Sequence, residues 1–370
     1  MAGIYIHIPF CKRRCSYCDF FSSTETGRKE RYVVALCNEL NHRKDYLQGQ
    51  SVETIFFGGG TPSVLSFPDF GKILDTLYSV YDYDDADREV TLEANPDDIT
   101  QDYLPTVKFF PFNRISLGVQ SFNDRELKLL NRRHNAQSAV QAVKLLQQAR
   151  YNNISIDLMF GLPEQDINTW TVTLRQAIDL QVQHISAYHL TYEEGTPLYK
   201  QLKEGSITSI DEEMSRRMFE VLMDTLADAG FEHYEISNFA RPGFQSRHNT
   251  SYWNGTHYLG VGASAHSYNG VSRRWNSNTL APNYWTSGFK IEVLDEKMKY
   301  NDFVITRLRM MKGMDLSELT TLFGDSLKAY CLKQAEKHIA GGLLQLENNR
   351  LRLTRKGIFV SDGIMRDLIL

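Results

Sequence analysis

The run Cys11-Lys-Arg-Arg-Cys15-Ser-Tyr-Cys18 puts three thiols in one short loop directly after the first apolar segment. Thiolates spaced by three and then two residues converge on one point, as a metal ligand set must. Three is one fewer than the four cysteines that usually hold a [4Fe-4S] cluster, so one iron would keep an open position for a small molecule. Structural zinc is a rival reading, since it also takes clustered cysteines and His7 would complete a Cys3His set. Zinc sites usually come as two separated ligand pairs, however, and no second C-x-x-C or H-x3-H follows. A disulfide framework fits worse, because the five cysteines are odd in number and sparse in 370 residues. Cys37, beside the helical stripe Tyr32, Val33, Leu36 and Leu40, and Cys331, between Tyr330 and Leu332, read as ordinary buried thiols.

Further polar residues recur where apolar segments end. Thr54 to Phe57 runs into Gly58-Gly59-Gly60-Thr61-Pro62, where missing side chains let a ligand approach backbone N–H groups. No Gly-Lys-Ser/Thr follows, which argues against a phosphate loop. Glu93 closes a third segment in Glu-Ala-Asn-Pro96, Gln120 a fourth in Gly-Val-Gln-Ser, and Asp157 lies in a fifth before Gly161-Leu-Pro163. One such residue would be unremarkable, but three in successive strands beside a cluster loop read as one ligand cradle. Arg132, in Leu130-Asn-Arg-Arg-His134, offers a cation for a carboxylate or else opens a solvated helix.

Elements must bring these residues together. Short apolar segments at Ile4 to Ile8, Thr54 to Phe57, Val90 to Glu93, Ile115 to Gln120, Ile154 to Met159 and Ile185 to Leu190 alternate with helical stripes such as Phe70, Ile73, Leu74 and Leu77. Repeated βα units imply an α/β fold with a parallel sheet, and the series suits a full or partial (β/α) barrel, with a doubly wound sheet as the alternative. In a barrel, reactive groups lie at the carboxyl ends of the strands, where the cysteine and glycine loops fall. Alternation in the first strand sets Tyr5 and His7 opposite Ile4, Ile6 and Ile8.

After about Asn301 the texture changes. Two helical stretches, a hairpin about Asn348-Asn349 and a last helix after Gly357 describe a small winged-helix-like α+β module, so the chain divides at 1–300 and 301–370. Nucleic acid is not an expected partner: net charge is −4, and Arg350, Arg352, Arg355 and Lys356 are few for that purpose. The first residues lack the basic start of a signal peptide, and no run approaches the roughly 20 apolar residues of a membrane span. A reducing cytoplasm is therefore the expected compartment.

Taken together, Tyr5-Ile-His-Ile-Pro-Phe-Cys11, Gly-Gly-Gly-Thr-Pro, Glu-Ala-Asn-Pro, Gly-Val-Gln-Ser-Phe122 and Asp-Leu-Met-Phe-Gly-Leu-Pro resemble the HemN/HemW branch of the radical S-adenosylmethionine (SAM) superfamily. The resemblance covers most of the chain, the C-terminal module included. It implies that Cys11, Cys15 and Cys18 hold a [4Fe-4S] cluster and that Tyr5, Gly59, Gly60, Thr61, Glu93, Gln120, Arg132 and Asp157 contact SAM. In that superfamily one electron passes to the sulfonium and yields a 5'-deoxyadenosyl radical, while protein groups position the parts.

Within the branch, the oxygen-independent coproporphyrinogen III dehydrogenases have a fourth cysteine two residues after the third, and here that place is Phe20. They also have an arm before the first strand, whereas here Cys11 comes almost at once. Both departures resemble the HemW group, understood as heme chaperones, and Arg247-His248-Asn249-Thr250-Ser251-Tyr252-Trp253 fits that group's H-N-x-x-Y-W motif. The resemblance implies binding of heme or a related tetrapyrrole, with His248 as the axial ligand beside Tyr252 and Trp253, and delivery to a haem-requiring acceptor protein. A packed, hydrogen-bonded histidine is the other reading of His248. Dimer formation, and peripheral association with a membrane through the acceptor, are compatible with this role. Decarboxylation of coproporphyrinogen III or another tetrapyrrole is the alternative activity.

Overall fold

Strict alternation gives strand β1 (Ala2–Ile8) two different faces. Ile4, Ile6 and Ile8 are fully buried in one core with Val33, Leu36 and Leu40 of the helix Lys29–His42. Tyr5 and His7 take the opposite, inner face. The computed structural model describes residues 1–81 and 87–370. In it β1 is followed by β2 (Val52–Gly59), β3 (Glu89–Ala94), β4 (Arg114–Gln120), β5 (Ile154–Phe160) and β6 (His184–His189). These six strands pair in sequence order, every pair parallel.

Helices cross between them, and several are begun by a side-chain cap. Ser66 and Asp69 form a capping box for Phe67–Val80, Asn135 caps Ala136–Gln148 and Asp166 caps Ile167–Asp179. A doubly wound sheet would reverse its strand order part-way, and this one does not. The barrel is partial. Beyond β6 come β8 (Asn238–Ala240) and β7 (Glu232–Glu235), both antiparallel. On the other flank β9 (His257–Val261) lies parallel to β1, and β10 (His266–Tyr268), β11 (Ser272–Trp275) and β12 (Lys290–Val293) extend from it antiparallel. The sheet thus has 12 strands, with β12 and β7 outermost, and Met310 bridges Glu235 of β7 antiparallel.

The expected division at 300/301 falls inside the helix Glu296–Arg309, whose N-cap is Asp295. This helix belongs to the module, since Tyr300 Oη donates to the carbonyl of Leu368 at 3.0 Å. Next come β13 (Met314–Asp315), a helical run Leu316–Ala340 broken at Gly324 (φ 78°), and the hairpin β14 (Leu344–Glu347) and β15 (Arg350–Leu353). Glycine alone takes that φ at no steric cost, so the run reads as two helices meeting at an angle. A bond of 2.7 Å from Arg309 to the buried Glu235 ties the module to β7.

Candidate functional site

The cysteine loop leaves β1 at its carboxyl end and is pinned from several sides. Cys11 N donates to Ser23 O at 2.9 Å, Ser16 N to Leu130 O at 3.1 Å and Ser16 Oγ to Leu129 O at 2.8 Å. Lys12 Nζ reaches Asp98 Oδ1 at 2.6 Å, and the same carboxylate takes Ser63 Oγ at 2.8 Å and Arg133 Nη2 at 3.0 Å. The three thiols are half-buried near one another. Burial pushes Cys11 up from the ordinary thiol range and Cys18 up to about 11. Thr61 Oγ1 donates to Cys11 Sγ at 3.3 Å, and Arg132 Nη1 to Cys15 Sγ at 3.1 Å. Cys37 is half-buried rather than buried, its thiol 3.5 Å from Lys72 O, and Cys331 is fully buried.

The cradle residues meet at the same mouth, although not all in the expected way. Gly59 sits at φ 107°, and a Cβ there would come within 2.5 Å of the His7 ring; at Gly60 it would lie 2.8 Å from Ile8 O. Both glycines are therefore required for close packing onto the end of β1. Their N–H groups are not free for a ligand: Gly59 N donates to Glu93 Oε2 at 3.1 Å and Gly60 N to Ile8 O at 2.9 Å. Gln120 takes a left-handed φ of 68° at the β4 bulge, and a Cβ at Gly118 would lie 3.0 Å from its amide nitrogen and 3.1 Å from Arg132 Nη2. Arg132 donates to Gly118 O at 2.5 Å and to Asn95 Oδ1. Glu93 and Asp157 face each other's charge inside the barrel. Burial, and then Asp157, push Glu93 up to about 8; burial pushes Asp157 up to about 6, opposed by Ser186 and Arg114.

Comparison with known proteins agrees with this geometry. The radical SAM superfamily model matches residues 5–177 and the HemN C-terminal domain matches 294–360. A heme chaperone HemW from Mycobacterium tuberculosis is 32% identical over 379 residues, covering 99% of this chain and 94% of that one. The Bacillus subtilis heme chaperone HemW is 36% identical over 372 residues, with 98% of each chain covered. The chain belongs to the HemW family of radical SAM proteins. Family membership also reaches the mouse radical S-adenosyl methionine domain-containing protein 1, mitochondrial, 34% identical over 100% of this chain and 87% of that one. The solved structure of Escherichia coli coproporphyrinogen III oxidase (HemN) superposes with a TM-score of 0.85 at 22% identity, covering 100% of this chain and 90% of that one; it shares the fold.

A HemW-family member implies a [4Fe-4S] cluster and SAM, and the residues present fit both. Among the described residues no group of three or more His, Cys, Asp or Glu side chains is placed to hold a single metal ion. A cluster spreads three thiolates over three irons, which asks for wider spacing than one zinc ion does. The zinc reading also loses its fourth ligand, because His7 Nδ1 lies 3.1 Å from Tyr5 Oη and Nε2 lies 3.1 Å from Phe21 O. Arg132 Nε is buried without a hydrogen-bond partner among the described residues, an orphan donor that a ligand carboxylate satisfies.

His248 lies elsewhere. The helix Arg247–Trp253 plugs the opposite, amino-terminal mouth of the barrel, where His248 N donates to Glu89 Oε1 at 2.9 Å. The His248 ring is 1% exposed, with Nδ1 2.8 Å from Thr54 Oγ1 and Nε2 2.8 Å from Tyr252 Oη. Burial, and then Arg114, push its pKa down to about 3. This is the packed, hydrogen-bonded histidine, and in this conformation neither nitrogen is open to iron. Tyr252, expected as a flat surface for a porphyrin, is instead its hydrogen-bond partner. Outside this plug lies a cavity of about 670 Å³ bordered by the other face of the helix.

Sequence reasoning did not find Asn95, Asp98 or Arg114. The first two hold Arg132 and the cysteine loop; Arg114 is 1% exposed inside the barrel, beneath Glu93 and Asp157. Each acts across sequence separations that no local motif records.

Proposed function

We propose that this protein is a heme chaperone that binds heme and passes it to a haem-requiring acceptor protein. Cys11, Cys15 and Cys18 would hold the [4Fe-4S] cluster. Tyr5, Gly59, Gly60, Thr61, Glu93, Gln120, Arg132 and Asp157 would form the SAM cradle, with Arg132 on the carboxylate. When bound, the cluster supplies an open coordination position and one electron for SAM. The chain's own groups fix the cysteine loop through Asp98. The protein works in a reducing compartment such as the cytoplasm, and no helix among its described residues is long and apolar enough to cross a membrane.

The observation that carries this reading is the match over the whole chain to relatives named heme chaperone HemW, at 32% to 36% identity. Phe20 agrees with it: where coproporphyrinogen III dehydrogenases have a fourth cysteine, this side chain is 65% exposed beside the loop. The test is to give anaerobically reconstituted protein hemin in one experiment, and coproporphyrinogen III with SAM and reductant in another. A Soret band without formation of protoporphyrinogen IX supports the chaperone. Robust turnover would return the protein to the dehydrogenases.

A further inference from the structure

The barrel has two mouths, and the chemistry of the second one is unassigned. The cavity of about 670 Å³ there is bordered by the first residues of β1 and β2, the outer face of the helix Arg247–Trp253, and the segment Met310–Lys312 that follows the helix Glu296–Arg309. That volume lies within the roughly 300–1,000 Å³ of small-molecule sites. Its walls have two characters. Met1, Met310 and Met311 supply thioethers, which are polarizable and adapt to flat apolar ligands. Arg247 and Lys312 supply cations.

The acids on the same lining are already engaged. Arg247 is held between Glu53 at 3.6 Å and Asp87 at 3.2 Å, and Glu232 accepts from Gln245 at 2.9 Å. Lys312 is exposed and has no ion pair among the described residues. Thr250, one turn from the cation Arg247 on this helix face, keeps a buried Oγ1 with no hydrogen-bond partner among the described residues. His248 and Tyr252 lie on the far side of the helix and close the barrel interior behind it. A ligand combining a broad apolar body with carboxylates matches this lining.

We propose that this cavity is the tetrapyrrole site, with the macrocycle on the methionine wall and its carboxylate edge at Lys312, the lining cation without an ion pair among the described residues; the proposal rests on the heme-chaperone reading. Recognition by wall and carboxylates does not require iron, so the site takes iron-free coproporphyrin III as well as hemin.

The test is titration of the reconstituted full chain with hemin and, separately, with coproporphyrin III, in wild type and two variants. Thr250→Trp fills the cavity and should weaken both ligands about tenfold or more. Lys312→Glu reverses an exposed charge, folds without difficulty, and should weaken both about fivefold at low salt and less at high salt. Iron content and the response of the cluster spectrum to SAM should stay at wild-type values in both variants. If wild type binds hemin and both variants bind it equally well, the cavity is not the site, and the heme reading stands without it. If wild type binds neither porphyrin, the proposal and the reading fall together.

Discussion

Lys12 Nζ lies 2.6 Å from Asp98 Oδ1, joining the exposed cysteine loop to a carboxylate that is 2% exposed. Asp98 also receives Ser63 and Arg133, so one buried group anchors the loop, the end of β2 and the segment after β4. Asp98→Ala leaves those donors unpaired and should cost about 2–4 kcal/mol, together with much of the bound iron. Lys12→Ala, whose partner keeps its other bonds and whose side chain is 53% exposed, should cost only about 0–1 kcal/mol. Iron per chain and urea denaturation measure both effects.

Glu93 gives the fold a pH dependence with a definite sign. Its pKa is about 8 in the native chain against an ordinary 4.5, so between these values the unfolded chain releases a proton that the native one keeps. Native stability falls across that window as pH rises. Glu93→Gln should be as stable as wild type at pH 4 and more stable by a few kcal/mol above pH 8, while binding SAM more weakly throughout. Denaturation midpoints at both pH values decide it.

Gly59→Ala forces a Cβ to within 2.5 Å of the His7 ring, at a φ of 107° that other residues rarely take. It should lower the melting temperature and reduce iron loading. Gly27→Ala, with nothing within 4 Å, should do neither.

Much of this site was legible in the sequence because the signals were local. Alternation in Ile4 to Ile8 placed Tyr5 and His7 inside, and the cysteine spacing placed three thiols in one loop. His248 carries two readings in the sequence for a physical reason: the aromatic residue that suggests a heme site, Tyr252, lies one helical turn away and is also its hydrogen-bond partner. The helix from Glu296 carries polar residues through position 302, which hides in the sequence that Tyr300 and Asn301 bond the chain's last residues, Leu368 and Leu370. Asp98 and Asn95 carry no local signal of their roles, since their partners lie 35 to 86 positions away.

His248 should behave as a structural residue. His248→Ala removes a buried ring and leaves Thr54 and Tyr252 without their partner, which should cost about 2–4 kcal/mol. Wild type should also lose stability as pH falls from about 6.5 toward 3, because the buried ring stays neutral while the unfolded chain takes up a proton. The variant should lose that component, and its Soret maximum with hemin should match wild type.

The account holds that cluster and tetrapyrrole occupy separate mouths of one barrel. Hemin titration of the variant with Cys11, Cys15 and Cys18 all changed to Ala, beside wild type, tests this most directly. The variant should hold no iron-sulfur cluster and should still give the wild-type Soret band and affinity. A folded triple variant that no longer binds hemin would contradict the two-mouth arrangement.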